Sequence, residues 1–253
     1  MKMEAFTVEN VPLIREGDDI ASIICDNANI IDNDIIVIAS TIVAKAEGRI
    51  FRLEDIHAGE EAQRIAAKHH ADPSFIQAVL DRSHEVLMDF PILLVETKNG
   101  HVCIKAGIDD SNVEKGYLVD LPEDPDASAA NIGKKIEGIC GKKISVIVTD
   151  TNGRAFKIGQ TGVAVGLYRI HPILNWVGEK DLFGNILEIT EEAIADEIAG
   201  MANLLMGEGD GGHPIIIVRG LEMRSHEDAS IKEMYRSDRE DLIKKGLRGL
   251  KQT

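Results

Sequence analysis

The residues best suited to chemistry lie between Val146 and Gly166. An apolar, β-type run, Ile144-Ser145-Val146-Ile147-Val148, ends in Asp150-Thr151 and leads into a loop carrying Gly153, Arg154 and Lys157. A carboxylate and a hydroxyl at a strand end suit a hard divalent cation, and neighbouring cations with free backbone amides suit phosphate. The same aspartate equally suits a cap on the turn that follows, with Thr151 a bystander.

Two further stretches have the same character. Lys105-Ala106-Gly107-Ile108-Asp109-Asp110-Ser111-Asn112 begins where a strand ends, and its adjacent carboxylates repel unless a cation or turn hydrogen bonds offset them. A polar turn using Asp and Asn side chains to bond their own backbone accounts for it as well. The second stretch is the loop Met206-Gly207-Glu208-Gly209-Asp210-Gly211-Gly212-His213. Its glycines let amides approach a phosphate closely, and Glu208 or Asp210 could add a metal ligand. It is neither a Walker A loop, because no Gly-Lys-Ser/Thr follows, nor a dinucleotide fingerprint. A helix C-cap followed by a turn is the plainer alternative.

Lys45, Arg154, Lys157 and Arg219 are the cations considered for phosphate or carboxylate, Arg154 foremost because it adjoins the metal candidate. Among eight histidines, His213 borders the glycine loop; no HExxH or GxSxG spacing occurs.

The elements that must position these residues belong to one acidic globular unit, expected as a single domain over 1–253. Acidic residues number 43 against 28 basic, a formal charge of −15, which argues against a broad nucleic-acid or anionic-membrane surface. Apolar runs such as Ile35-Ile36-Val37-Ile38-Ala39 fall far short of the roughly 20 residues that cross a bilayer. MKMEAFTVEN lacks the apolar core of a signal peptide, so a cytoplasmic address is expected. Cys25, Cys103 and Cys140 are scattered and support neither a disulfide framework nor a structural zinc site.

Patterning predicts strands over 4–8, 34–40, 144–151, 162–170 and 214–220. Helices are predicted from Asp18 as cap, over 41–47 before Gly48, over 60–70 and 73–82, and over 127–138. A further long helix is expected with Thr190 as cap, Glu191 and Glu192 in its first turn, and Ile194, Ile198, Met201 and Leu205 as its stripe. Asn99-Gly100 between two apolar runs predicts a type I′ hairpin, so part of the sheet is antiparallel. The expected class is therefore α/β of an α+β-like kind, with a mixed or antiparallel sheet. A tail from Asp228 to Lys251, within an extension over about 223–253, reads as amphipathic helix ending basic at Lys244, Lys245, Arg248 and Lys251.

Several blocks, in order, resemble the archaeal coenzyme F420-0:L-glutamate ligases, the γ-glutamyl ligases of deazaflavin biosynthesis. They are Val11-Pro12-Leu13-Ile14, Ser40-Thr41 with Lys45, GIDDSN (107–112), LPEDPDASA (121–129), DTNGR (150–154), NWVGEKDLFG (175–184), ADEIAGMANLLMGEGDGG (195–212) and PIIIVRG (214–220). The resemblance implies a GTP-dependent ligase forming a carbon–nitrogen bond, in which L-glutamate is added successively to F420-0 to give F420-1 and F420-2. It further implies one or two Mg²⁺ or Mn²⁺ ions, a K⁺ ion, and a family-specific fold of two interlocked subdomains in an intertwined homodimer. Carried over by position, the divalent-metal ligands fall on Asp109, Asp150, Thr151 and Glu208. The GTP contacts fall on Val11, Pro12, Leu13, Ile14, Ser40, Thr41, Lys45, Asn112 and the loop from Met206 to His213. Arg154 and Lys45 are the catalytic candidates. A metal-dependent phosphohydrolase and a non-catalytic nucleotide- or deazaflavin-binding protein are the alternatives of other classes.

Overall fold

The computed structural model describes residues 2–221 and 225–250. The first part of the chain gives β1 (Glu4–Thr7), α1 (Ile20–Asn27), β2 (Ile35–Ala39), α2 (Ser40–Ala46) and β3 (Ile50–Arg52). Next come α3 (Glu60–His69), α4 (Pro73–Arg82), β4 (Ser83–Met88), β5 (Leu94–Thr97), β6 (Val102–Ile104) and β7 (Tyr117–Val119). The second half gives α5 (Pro125–Cys140), β8 (Ser145–Gly153), β9 (Gln160–Tyr168), β10 (Leu174–Asn175), β11 (Glu191–Glu192), α6 (Ile194–Met206), β12 (Ile215–Arg219) and α7 (Leu242–Leu250).

Five strands form the central sheet in the order β1-β12-β2-β8-β9, with β2 and β8 parallel and the other pairs antiparallel. The class is thus mixed α/β. Central strands are apolar on both faces because both are covered. Ile36, Ile38, Val146, Val148, Ile215 and Ile217 pack with Ile20 and Ile24 of α1 and Ala129 and Ile136 of α5. Their neighbours one residue along, such as Ile35, Val37, Ile147 and Ile216, pack instead with Ile198, Ala199 and Ala202 of α6. A separate core gathers Ile65 of α3, Ile76 and Val79 of α4, and Val95 of β5. There β4, β5 and β6 form a three-stranded sheet, and β3 pairs with β7.

Capping chemistry sets the helix starts. Asp19, rather than Asp18, caps α1 by accepting from the Ser22 amide; the Asp18 carboxylate accepts from the Arg15 amide at 2.7 Å. Asp124 caps α5 with Pro125 in the first turn, so that helix begins earlier than expected and runs on to Gly141, whose φ of +66° ends it.

Three expectations are corrected. The β5–β6 hairpin turns through Lys98, Asn99 and Gly100, closed by Gly100 N–H to Thr97 O at 2.9 Å and Thr97 N–H to His101 O at 2.8 Å. Only Gly100 has positive φ (+90°), whereas a type I′ turn needs it at both central residues. The Asn99 side chain is committed elsewhere, donating to Glu123 O at 2.6 Å.

Thr190 does not cap α6. Glu191 and Glu192 pair with Asn175 and Leu174, and the helix starts at Ile194 with Asp196 and Glu197 in its first turn. The segment this closes, 174–192, exposes Trp176, Val177, Leu182, Phe183, Ile186 and Ile189.

The tail is not one helix. A capping box of Ser230 and Glu233 starts a 3₁₀ turn, Ile231–Met234, and α7 follows after a break. The basic side of α7 faces the protein: Lys244 is buried 2.9 Å from Glu96, and Arg248 reaches Glu85 at 2.6 Å. Leu242 and Ile243 are exposed. Lys251 and the ends of the predicted extension lie outside the described residues.

Candidate nucleotide and metal site

Strand direction in the central sheet brings Ser40, Asp150 and the glycine loop together. Because β2 and β8 are parallel, Ser40 and Asp150 emerge at the same edge of the sheet. Antiparallel β12 enters at that edge, so the glycine loop before it lies there too, tied by Ala39 N–H to Pro214 O at 2.9 Å. β1 leaves the sheet there, with Val8 N–H bonded to Ile215 O at 2.9 Å, and hands on to Val11-Pro12-Leu13-Ile14. In α/β sheets, ligands bind outside the carboxyl ends of parallel strands, and this edge carries that end of β2 and β8.

Ala39 pairs with Thr149, so the next residues, Ser40 and Asp150, fall side by side. The Ser40 hydroxyl donates to Asp150 Oδ1 at 2.8 Å. Thr151 Oγ1 donates to Glu208 Oε1 at 3.1 Å. Asp109 is held by a two-bond backbone bridge to Val119, and its carboxylate accepts from the Ser111 amide at 3.0 Å and from the Ser111 hydroxyl. That is the polar turn read from sequence, placed within electrostatic reach of Asp150. Lys45 Nζ donates to the Asn112 carbonyl, which fastens the turn to α2.

Burial is the largest influence on Asp150, pushing its carboxyl up from 3.8 to about 6. Bonds from Ser40 and the Thr151 amide oppose the shift, while the charges of Asp109 and Glu208 reinforce it. Lys45 is lowered by burial, and Asp109 partly restores it.

Thr41 and His213 are half-buried, Asn112 and Pro12 are exposed, and Leu13 is 89% exposed. Met206 ends α6, and Gly207, Glu208, Gly209, Asp210, Gly211 and Gly212 are all exposed. Positive φ at Gly207 (+68°) and Gly212 (+72°) shapes both ends of that loop.

The candidate cations divide. Arg154 lies at the tip of the β8–β9 hairpin, where its Nη2 donates to Ile158 O at 2.8 Å within its own turn. Lys157 is exposed in that turn. Arg219 is a correction: it lies at the opposite edge of the sheet, bound through Nε and Nη2 to the buried Asp34, both at 2.7 Å. A guanidinium satisfied by a buried carboxylate is not available to phosphate. Sequence reasoning missed Asn203, which bonds Glu208 and Thr151. Its only signal was a lone amide among the alanines, leucines and methionines of α6.

Asp109, Asp150, Glu208 and Thr151 offer the hard oxygen donors that Mg²⁺ or Mn²⁺ prefers, and the charges of Asp109 and Glu208 add to the effect of burial in raising Asp150. In donor chemistry they fit such an ion. They do not form a closed shell: among the described residues no three His, Cys, Asp or Glu side chains are grouped to hold one. Nor is any helix there long and apolar enough to cross a membrane.

The family model described as F420-0:γ-glutamyl ligase matches residues 9–220. Proteins called coenzyme F420:L-glutamate ligase are similar over nearly their whole length. The Methanosarcina mazei protein is 62% identical, covering 99% of both chains, and that of Archaeoglobus fulgidus 49% identical, covering 98% of this chain and 99% of its own. The Halobacterium salinarum protein is 41% identical, covering 98% of each. Residues 9–220 take in every station gathered at the sheet edge, so the matched segment and the site coincide, and the chain belongs to the F420-0:γ-glutamyl ligase family.

Proposed function

We propose that this chain is a cytoplasmic, GTP-dependent ligase, one domain throughout, that joins L-glutamate to F420-0 and then to the F420-1 it has formed. The observation that carries the reading is the gathering of Asp109, Asp150, Thr151, Glu208, Lys45 and the glycine loop at one sheet edge, in a chain of this family. Joining a carboxylate to an amine in water is uphill, so the carboxylate is first activated. The terminal carboxylate of F420-0 takes the γ-phosphoryl group of GTP, giving an acyl phosphate and GDP. The glutamate α-amine then attacks the acyl carbon, the amide forms, and inorganic phosphate leaves.

No enzyme nucleophile is required, so the protein contributes positioning and charge stabilisation. Lys45 offsets phosphate charge, and the amides of residues 206–213 cradle the phosphates. Arg154, on a turn next to Asp150-Thr151, orients an anionic group of the substrate. Asp109, Asp150, Thr151 and Glu208 hold one or two Mg²⁺ or Mn²⁺ ions, which supply Lewis-acid neutralisation of phosphate charge. K⁺ enters the proposal on the family resemblance alone. An intertwined homodimer is part of it as well, supported by the apolar side chains exposed on residues 174–192, with Leu182 at 102% and Phe183 at 92%.

The test is incubation with F420-0, glutamate, GTP and Mn²⁺ followed by mass spectrometry, with GDP release measured in parallel. Mass increments of one and two glutamyl units are expected, and Asp150→Asn should lose both product and GDP. GDP release without F420-0 or glutamate would favour a phosphohydrolase; tight nucleotide binding without turnover would favour a binding protein.

A further inference from the structure

Asn203, in the last turn of α6, stands between two of the proposed metal ligands. Its Nδ2 donates to Glu208 Oε1 at 2.9 Å, and its Oδ1 lies 3.4 Å from Thr151 Oγ1. Thr151 has one hydroxyl proton and lies closer to Glu208, at 3.1 Å, so Asn203 and Thr151 meet chiefly through the glutamate oxygen to which both donate. Both bonds to the glutamate fall on Oε1, which leaves Oε2 as its oxygen for an ion.

Glu208 needs such a restraint. It is exposed, it follows a glycine at positive φ, and glycines flank it on both sides. A glutamate in that setting has its rotamers free unless a neighbour fixes them. The neighbour is itself set by backbone packing. Gly162 pairs with Thr151 across β8 and β9, and a Cβ there would lie 2.6 Å from Ala199 O and 2.9 Å from Asn203 Cβ. The missing side chain at 162 is what lets α6 come close enough for Asn203 to reach Thr151 and Glu208.

We propose that Asn203 is a positioning residue that holds Glu208 and Thr151 in register for a divalent cation. The inference rests on the metal reading of Glu208, and the test separates the two. Mn²⁺ alone is titrated into wild type, Glu208→Ala, Asn203→Leu and Asn203→Ser, and free aquo-Mn²⁺ is read by electron paramagnetic resonance. Leu keeps bulk against Gly162 without hydrogen bonds; Ser is the smaller second variant, and thermal midpoints report folding. Removing a residue that orients a metal ligand typically costs 10–100-fold in affinity, so both Asn203 variants are expected to bind Mn²⁺ that much more weakly. Glu208→Ala should lose at least as much. Wild-type affinity in folded Asn203 variants, with weakened binding in Glu208→Ala, would overturn the positioning role. Wild-type affinity in Glu208→Ala would overturn the metal reading and this inference with it.

Discussion

Replacing Asp150 with asparagine should stabilise the metal-free protein at neutral pH while removing its activity. The carboxyl is raised from 3.8 to about 6, chiefly by burial. Below pH 4 the folded and unfolded states both hold the proton, and the site costs nothing. Between about pH 4 and 6 the unfolded chain ionises while the folded one keeps its proton, so stability falls as pH rises. Above pH 6 the loss is complete, at about 1.4 kcal/mol for each of roughly two units, or at most about 3 kcal/mol. Asparagine keeps an oxygen for the Ser40 hydroxyl and has no charge to bury. With divalent ions chelated, Asp150→Asn should melt up to about 6–12 °C above wild type at pH 7.5, and the two should converge towards pH 4. Paired thermal melts across that range measure the difference. A variant no more stable than wild type at pH 7.5, or a gap that does not shrink on acidification, would refute the assignment of an unfavourable buried charge at this position.

Other positions respond for different reasons. Gly162→Ala forces a Cβ to within 2.6 Å of Ala199 O; overpacking of this kind costs about 1–3 kcal/mol, and calorimetry should show a lowered midpoint together with weaker Mn²⁺ binding. Gly166→Ala is expected to be worse, because its Cβ would meet backbone atoms of Pro125 at 2.3 and 2.4 Å; loss of soluble folded protein is the readout. Lys244→Ala strips the largely buried Glu96 of its partner at a cost of up to about 3–5 kcal/mol, and faster proteolytic release of α7 should accompany the lower midpoint. Arg154→Ala, at a fully solvated turn, should leave stability within about 0.5 kcal/mol and raise the KM for F420-0 in the ligation assay.

What could be read from the sequence was what depends on neighbours in the chain. Glu60–His69 and Pro73–Arg82 announce themselves by period and by Pro73, β2 and β12 by runs of Ile and Val, and β8 by Val146-Ile147-Val148. Glu191-Glu192 misled because two acids before an apolar stripe look like a first turn; their pairing with Leu174-Asn175 is decided sixteen or more residues away. Arg219 misled likewise, since only the fold shows that Asp34 claims it. At the site, Asp150, Asp109 and Glu208 were each ambiguous between turn residue and ligand. In the structure Asp109 is both turn former and electrostatic neighbour of Asp150, so local pattern could not have separated the two readings. Asn203 was invisible because its role depends on the absence of a side chain on a different strand.

The place of β12 has a consequence for how the protein is made. It lies between β1 and β2, yet its residues, 215–219, come near the end of the chain, and β1 pairs with nothing else in the central sheet. During synthesis, β1 therefore waits through some two hundred residues for its only partner, and such long-range closure is slow. The glycine loop directly precedes β12 and reaches the sheet edge with it. On the proposed reading, nucleotide should accordingly gain its phosphate cradle in the same step that completes the sheet, and a growing chain that stops before Ile215 would carry Asp109, Asp150 and the loop itself without the strand pairing that brings the loop beside them. If GTP is the ligand, as proposed, its binding should come late in folding, and it should act as a trap for the finished chain rather than a guide for the nascent one.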